Sequence, residues 1–206
     1  MDKKVIITIG REYGSGGREI GQRLAKELDI PYYDKELLNI AAQESGISHE
    51  LFKINDEKSA NSFFRSFLMG SYPSEMPLHH KVFLAQFDAI KKIAQDGACV
   101  IVGRCADYAL SEYPHCIHVF IHGKMEDKLN RVIHSYGVSP DKAEETIVKT
   151  DKNRSSYYEF YTGQKWKSLN NYHFTFDSST VGIDNIVNIL KDYVIKEEAE
   201  ILRRGN

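Results

Sequence analysis

The sequence is poor in cysteine. Cys99, Cys105 and Cys116 are the three it has in 206 residues, an odd number with no C-x-x-C pair. That spacing is neither a disulfide framework nor a zinc site, and it suits a reducing cytosol. Long hydrophobic runs are missing too. No stretch approaches the roughly 18 apolar residues of a membrane helix, and the first residues lack the apolar core of a signal peptide. An excess of positive charge is also absent: 27 Lys and Arg oppose 29 Asp and Glu. A general nucleic-acid binder needs clustered positive charge, so that class is set aside. The histidines fall without metal-ligand spacing, and no residue is assigned to a metal. Repeats and low-complexity segments are not evident.

What remains is the composition of a soluble globular protein, 42% apolar and 27% charged, of a length that suits one large domain. Its organising stretch is Val5 to Leu28. Val5-Ile6-Ile7-Thr8-Ile9 is a short β-branched run of the kind found in buried parallel strands. A loop with Gly10, Gly14, Gly16 and Gly17 follows, then a helical pattern with Ile20, Leu24 and Leu28 at four-residue spacing. Strand, glycine-rich turn and helix bring backbone N–H groups and a helix N-terminus onto one point, where they attract a phosphate. Four glycines in eight residues also suit a tight turn with no ligand. The Walker pattern G-x-x-x-x-G-K-[ST] is not met: after Gly16 come Gly17, Arg18 and Glu19.

Further along, Tyr32-Tyr33-Asp34 reads as a second strand ending in a carboxylate, and Asp34 suits either a ligand or the cap of a helix from Lys35 to Glu44. Ser48 is placed to cap another helix, through about Lys58. Residues 59–77 follow no period and hold Phe63, Phe64, Phe67 and Arg65, a satellite core or a ligand cover. A helix from Leu78 to Gln95 leads to the strand Ala98–Val102 and the loop Gly103-Arg104-Cys105-Ala106-Asp107. Arg104, just past the strand, reaches the crevice of the glycine loop or pairs with Asp107. Cys99 reads as core, and Cys105 as pocket lining or packing. Ile117–Ile121 is the fourth strand, followed by a helix from Lys124 to Tyr136. Pro140 opens a helix that carries Lys149, Asp151, Lys152 and Arg154 and then runs into tyrosines and Gly163, either a cationic lid or a solvated face. His173–Phe176 is the last strand and Asp177–Thr180 the loop after it. The final helix is expected to turn Ile186, Ile189, Leu190 and Tyr193 inward, with a tail that frays or extends it. Five strand–helix alternations predict a three-layer α/β fold around a parallel sheet.

The segments ITIGREYGSGG, PYYDKELL, VIVGRCADY, DKNR and DSST together resemble the cytidylate kinase-like group of P-loop nucleoside monophosphate kinases. The resemblance implies one domain over residues 1–206: a P-loop kinase core with a five-stranded parallel sheet, an acceptor-binding insertion near 35–95 and a helical lid near 139–168. It implies ATP and Mg²⁺ as cofactors and a nucleotide such as CMP as acceptor, in the cytoplasm, with no membrane or nucleic-acid partner and homodimerisation left open. Donor binding falls on Gly10, Arg11, Gly14, Ser15, Gly16, Gly17, Arg18, Glu19, Ser178 and Ser179. Acceptor binding falls on Asp34, Lys35, Gly103, Arg104, Asp107, Asp151 and Arg154. Catalytic cations are expected in Arg18, Arg104, Lys152 and Arg154. Four positions depart from the family: its P-loop Lys falls on Gly17, its Ser/Thr on Glu19, the third residue of Gly-Arg-Asp is Cys105, and the serine that usually follows the second-strand Asp is Lys35. Arg18 is the candidate for the displaced charge. The departures leave two alternatives, a kinase for another small acceptor and a catalytically weak nucleotide-binding regulator.

Overall fold

The computed structural model describes residues 4–46 and 78–204. The helix expected after Ser48 and the aromatic segment 59–77 lie outside the described residues. In chain order the elements are β1 (Ile6–Arg11), α1 (Gly17–Leu28), β2 (Tyr32–Tyr33), α2 (Glu36–Ser45), α3 (Leu78–Asp96), β3 (Val100–Val102), α4 (Ala106–Ala109) and β4 (Cys116–His122). They continue with α5 (Met125–His134), α6 (Pro140–Thr162), β5 (Phe174–Asp177), α7 (Ser178–Val181) and α8 (Ile183–Arg204). A 3₁₀ turn at Leu169–Asn171 precedes β5.

The five strands form one parallel sheet in the order β2-β3-β1-β4-β5. β1 lies at its centre, with Ile7 beside Val100 on one side and Ile117 on the other. Every residue of β1 is buried, as both faces of a parallel sheet require. Side-chain alternation then sorts the core into layers. Val5, Ile7, Ile9, Val102, Val119 and Ile121 pack with Ile20, Leu24 and Leu28 of α1 and with Ile186, Val187, Leu190 and Val194 of α8. Ile6, Cys99 and Ile101 face the other way, onto Leu37 and Ala41 of α2 and onto Val82, Ala89, Ile90 and Ile93 of α3. Helix, sheet, helix is the three-layer arrangement expected. On the second face Thr8 bonds the buried His118 (Oγ1 to Nδ1, 2.8 Å), so this polar pair satisfies itself inside the core.

Three expectations change. Asp34 does not cap α2; Lys35 holds the cap position without a side-chain bond, and the Asp34 carboxylate faces arginines instead. The loop after β5 is a helical turn from Ser178, capped by Asp177, whose Oδ1 accepts from Ser179 N–H (3.0 Å). α8 presents Val187 and Val194 to the sheet, while Ile189 and Tyr193 stay 44% and 37% exposed. The buried stripe is Ile186, Val187, Leu190 and Val194, the face that packs with α1 and the sheet, and the helix runs on to Arg204. Ile9 is fully buried at the centre of the sheet, so Ile9→Ala is expected to cost about 3 kcal/mol, read as the shift of the denaturant midpoint at unchanged slope.

Candidate active site

β1 delivers the glycine loop. Gly14 and Gly16 hold positive φ of 79° and 83°, Ser15 Oγ donates to the Glu12 carbonyl (2.8 Å), and α1 begins at Gly17. The curl leaves no room for side chains. A Cβ on Gly16 would lie 2.8 Å from Ile183, and one on Gly14 2.9 Å from the backbone of Lys128. The loop thus lies against α5 and the start of α8, and Arg131 donates to the Gly14 carbonyl (2.7 Å). This is a tight concave turn at a helix N-terminus, the form that suits phosphate oxygens.

Opposite the loop stands Asp34, at the end of β2 and 4% exposed. Its carboxylate meets Arg18 (Nε–Oδ2, 2.8 Å), Arg104 (Nη1–Oδ1, 3.2 Å) and Arg11 (Nη2–Oδ1, 3.9 Å). Arg104 reaches it because Gly103, Arg104 and Cys105 take successive left-handed φ values of 77°, 52° and 55° where β3 ends. Two of the three are not glycine, and such strain gathers where a side chain has to be aimed. Between loop and carboxylate lies an open cavity of about 390 Å³, bordered by Arg11, Arg18, Lys35, Arg104 and Arg154 against the carboxylates of Glu12 and Asp34. Among the described residues five cations there face two anions, a balance that suits an anionic ligand.

α6 covers one side. Arg154 donates to the Arg11 carbonyl (3.2 Å) and lies over the ring of Tyr13 (5.7 Å). Asp151 takes the Tyr13 N–H on Oδ1 (2.6 Å) and Lys128 on Oδ2 (2.9 Å). Lys128 also holds Glu12 (2.9 Å), which Lys167 approaches from its other oxygen. Burial alone would raise the Glu12 carboxyl, but Lys167 and Lys128 outweigh it and hold it below the usual range. Lys149 and Lys152 are exposed. Asp151 therefore braces the glycine loop, and the cation that this helix brings to the cavity is Arg154. Ser178 and Ser179 bond the His122 carbonyl (2.9 Å) and the Lys124 N–H (2.8 Å), beside Gly123 and one residue past the end of β4.

Where α6 meets the core, Phe120, Tyr157, Tyr158, Trp166 and Tyr172 pack with Phe83 and Cys105 into an aromatic wall. Gly10 belongs to it, because a Cβ there would lie 2.9 Å from Phe120 and 3.2 Å from Tyr172. Asp107 is buried behind Arg104 and accepts from Tyr158 Oη (2.6 Å). Burial pushes its carboxyl up to about 6, and the tyrosine only partly offsets this.

The sequence matches the pattern of the cytidylate kinase-like family over residues 6–180. The chain belongs to that family. Its fold is also that of solved structures. An uncharacterized protein from Eubacterium ventriosum ATCC 27560 is 30% identical, with a TM-score of 0.69 over 92% of this chain and 98% of that one. A shikimate kinase from Bacteroides thetaiotaomicron is 14% identical (TM-score 0.53, covering 92% and 98%). A gluconokinase from Sinorhizobium meliloti 1021 is 12% identical (TM-score 0.50, 100% of both chains). No curated protein matches the chain significantly. The P-loop kinase fold is thereby shown.

In this cytidylate kinase-like protein the glycine cradle fits the phosphates of a nucleotide. It does not fit a magnesium site built from protein alone. Glu19, in the first turn of α1, pairs with Arg23 (3.6 Å), and the nearby carboxylates of Asp34, Glu12 and Asp151 are each held by cations. Sequence reasoning missed Glu12, Tyr13, Lys128, Arg131, Tyr136 and Lys167. Lys128 left one signal: it lies four residues before the buried Val132, on the inward face of α5.

Two outcomes are expected. Lys128→Met takes the cation from Asp151 and leaves Glu12 with Lys167, both carboxylates being at least 85% covered, and costs about 3 kcal/mol, whereas Lys152→Met stays within about 0.5 kcal/mol, both read by chemical unfolding. For Asp107 the folded-state pKa lies above the unfolded one. Its contribution is full below about pH 4 and falls away as the pH rises towards 6, a loss of about 3 kcal/mol. Asp107→Asn should be more stable than the parent at pH 8 and lose that advantage by pH 4, as followed by unfolding across the range.

Proposed function

We propose that this protein transfers a phosphoryl group from ATP to a small anionic acceptor, a nucleoside monophosphate such as CMP. The observation that carries this reading is the cavity with a glycine cradle on one side, Asp34 and Arg104 on the other and Arg154 above. When bound, ATP supplies the transferable group and brings Mg²⁺ on its own phosphates. The backbone N–H groups from Gly14 to Arg18 hold the donor phosphates against the positive end of α1, with Ser178 and Ser179 towards the base. Asp34 orients the acceptor and Arg104 carries its anionic end, with Lys35 at the cavity mouth. Arg154 closes the gap between them, and the aromatic wall excludes water. Little covalent work falls to the protein in such a transfer; it aligns the reactants and neutralises charge, and each well-aimed donor contributes about 2–4 kcal/mol to the barrier. The three cysteines are free, which supports a cytoplasmic setting.

The test is ADP release from ATP and Mg²⁺ against a panel of nucleoside monophosphates, shikimate and gluconate. Turnover that depends on one nucleotide is the expected result. Arg104→Ala should lower kcat/KM for that acceptor on the order of 100-fold while leaving ATP affinity nearly unchanged. A preference for a non-nucleotide acceptor would replace the substrate and keep the reaction. ATP binding without turnover on any acceptor would make the protein a nucleotide-binding regulator.

A further inference from the structure

In the Walker pattern the first of seven positions is glycine, and the seventh is the lysine that reaches the β- and γ-phosphates. Here those seven residues run Arg11-Glu12-Tyr13-Gly14-Ser15-Gly16-Gly17, so the cation stands first and the glycine last. The two departures are one event in space. A Cβ on Gly17 would lie 2.6 Å from Cβ of Arg11 and 3.2 Å from Cβ of Ile121. These atoms sit next to backbone fixed in the β1–β4 ladder, where Arg11 lies beside Ile121, so neither can move aside. As the backbone runs, one of positions 11 and 17 carries a side chain and the other has to be glycine.

Arg11 uses that opening. It is 9% exposed, its stem crosses the Cα of Gly17, and it borders both the large cavity and the small one under the aromatic wall. Its Nη2 lies 3.9 Å from Asp34, so the guanidinium spans the space between the glycine cradle and the acceptor end. Arg18, by contrast, has a side chain 46% exposed and is turned onto Asp34 at 2.8 Å. We propose that Arg11 is the phosphate-contacting cation of this P-loop, delivered from the last residue of β1 instead of the first turn of α1. This rests on the phosphoryl-transfer reading above. A guanidinium stays charged when buried and can hold two phosphate oxygens at once, where a lysine offers a point charge.

The experiment is calorimetric titration of the full chain with ADP–Mg²⁺ and with the non-hydrolysable analogue AMPPNP–Mg²⁺, beside thermal melts. The variants are Arg11→Met, Gly17→Lys and the exchange Arg11→Gly with Gly17→Lys. Arg11→Met keeps the buried stem, so its fold survives, and it should weaken AMPPNP on the order of 100-fold and ADP much less. Gly17→Lys alone should melt below the parent. The double exchange should melt above that single variant and regain at least about tenfold of the lost AMPPNP affinity, because the lysine then stands where the pattern has it. A merely structural Arg11 would not move the AMPPNP-to-ADP ratio. If the parent binds both nucleotides and Arg11→Met keeps its AMPPNP affinity within about twofold, or the exchange recovers nothing, the proposal falls and the kinase reading stands. If the parent binds neither nucleotide, both fall.

Discussion

A buried arginine stays charged, so it has to be given a carboxylate or another anion, and around the carboxyl ends of β1, β2 and β3 that requirement decides the layout. Asp34 is the shared answer. One carboxylate at 4% exposure faces Arg11, Arg18 and Arg104, three cations drawn from a strand, a helix and a strained loop. All three guanidinium groups also border the cavity, so an anion bound there would lie against them. Under the proposed reading, a nucleotide should raise the stability of the chain through mass action.

A second network holds the glycine loop to the lid. Glu12 and Asp151 come from residues far apart in the chain, and Lys128 joins them at 2.9 Å to each. Because Asp151 also takes the Tyr13 N–H, the lid helix and the loop are fixed by a common set of bonds and move together or not at all. The aromatic wall adds a third tie between lid and core: Tyr161 of α6 stacks on Phe83 of α3 at 4.0 Å. Motion of α6 away from the core would have to break charged and aromatic contacts at once.

Much of this was legible in the residues themselves. The β-branched run at Val5–Ile9, the glycines after it and the spacing of Ile20, Leu24 and Leu28 specify strand, turn and helix locally, without help from the rest of the fold. That Asp34 and Arg104 would border one cavity was readable because the crevice of a parallel sheet lies beyond the carboxyl ends of the strands. What stayed hidden depended on distance. Lys128 reaches Glu12 and Asp151 only once β4 has set α5 beside the loop, and no local pattern encodes that. Asp151 looked like an acceptor contact because its motif says nothing of which way a helix turns. Gly17 looked like a lost lysine, and only the 2.6 Å approach of Arg11 shows that a side chain there is sterically forbidden.

The place of β1 at the centre of the sheet also governs how the chain reaches this state. Ile7 meets Val100 and Ile117, so the strand that carries the glycine loop has no sheet neighbour until the chain has been made as far as β3, near its middle. The entropy of closing those long loops is lost before any of the pairing returns it, which places such a sheet among the slower folders. The glycine loop itself leans on Lys128 and Arg131 of α5 and on Ile183 of α8, so the contacts that shape it come from the second half of the chain although its own residues stand near the start.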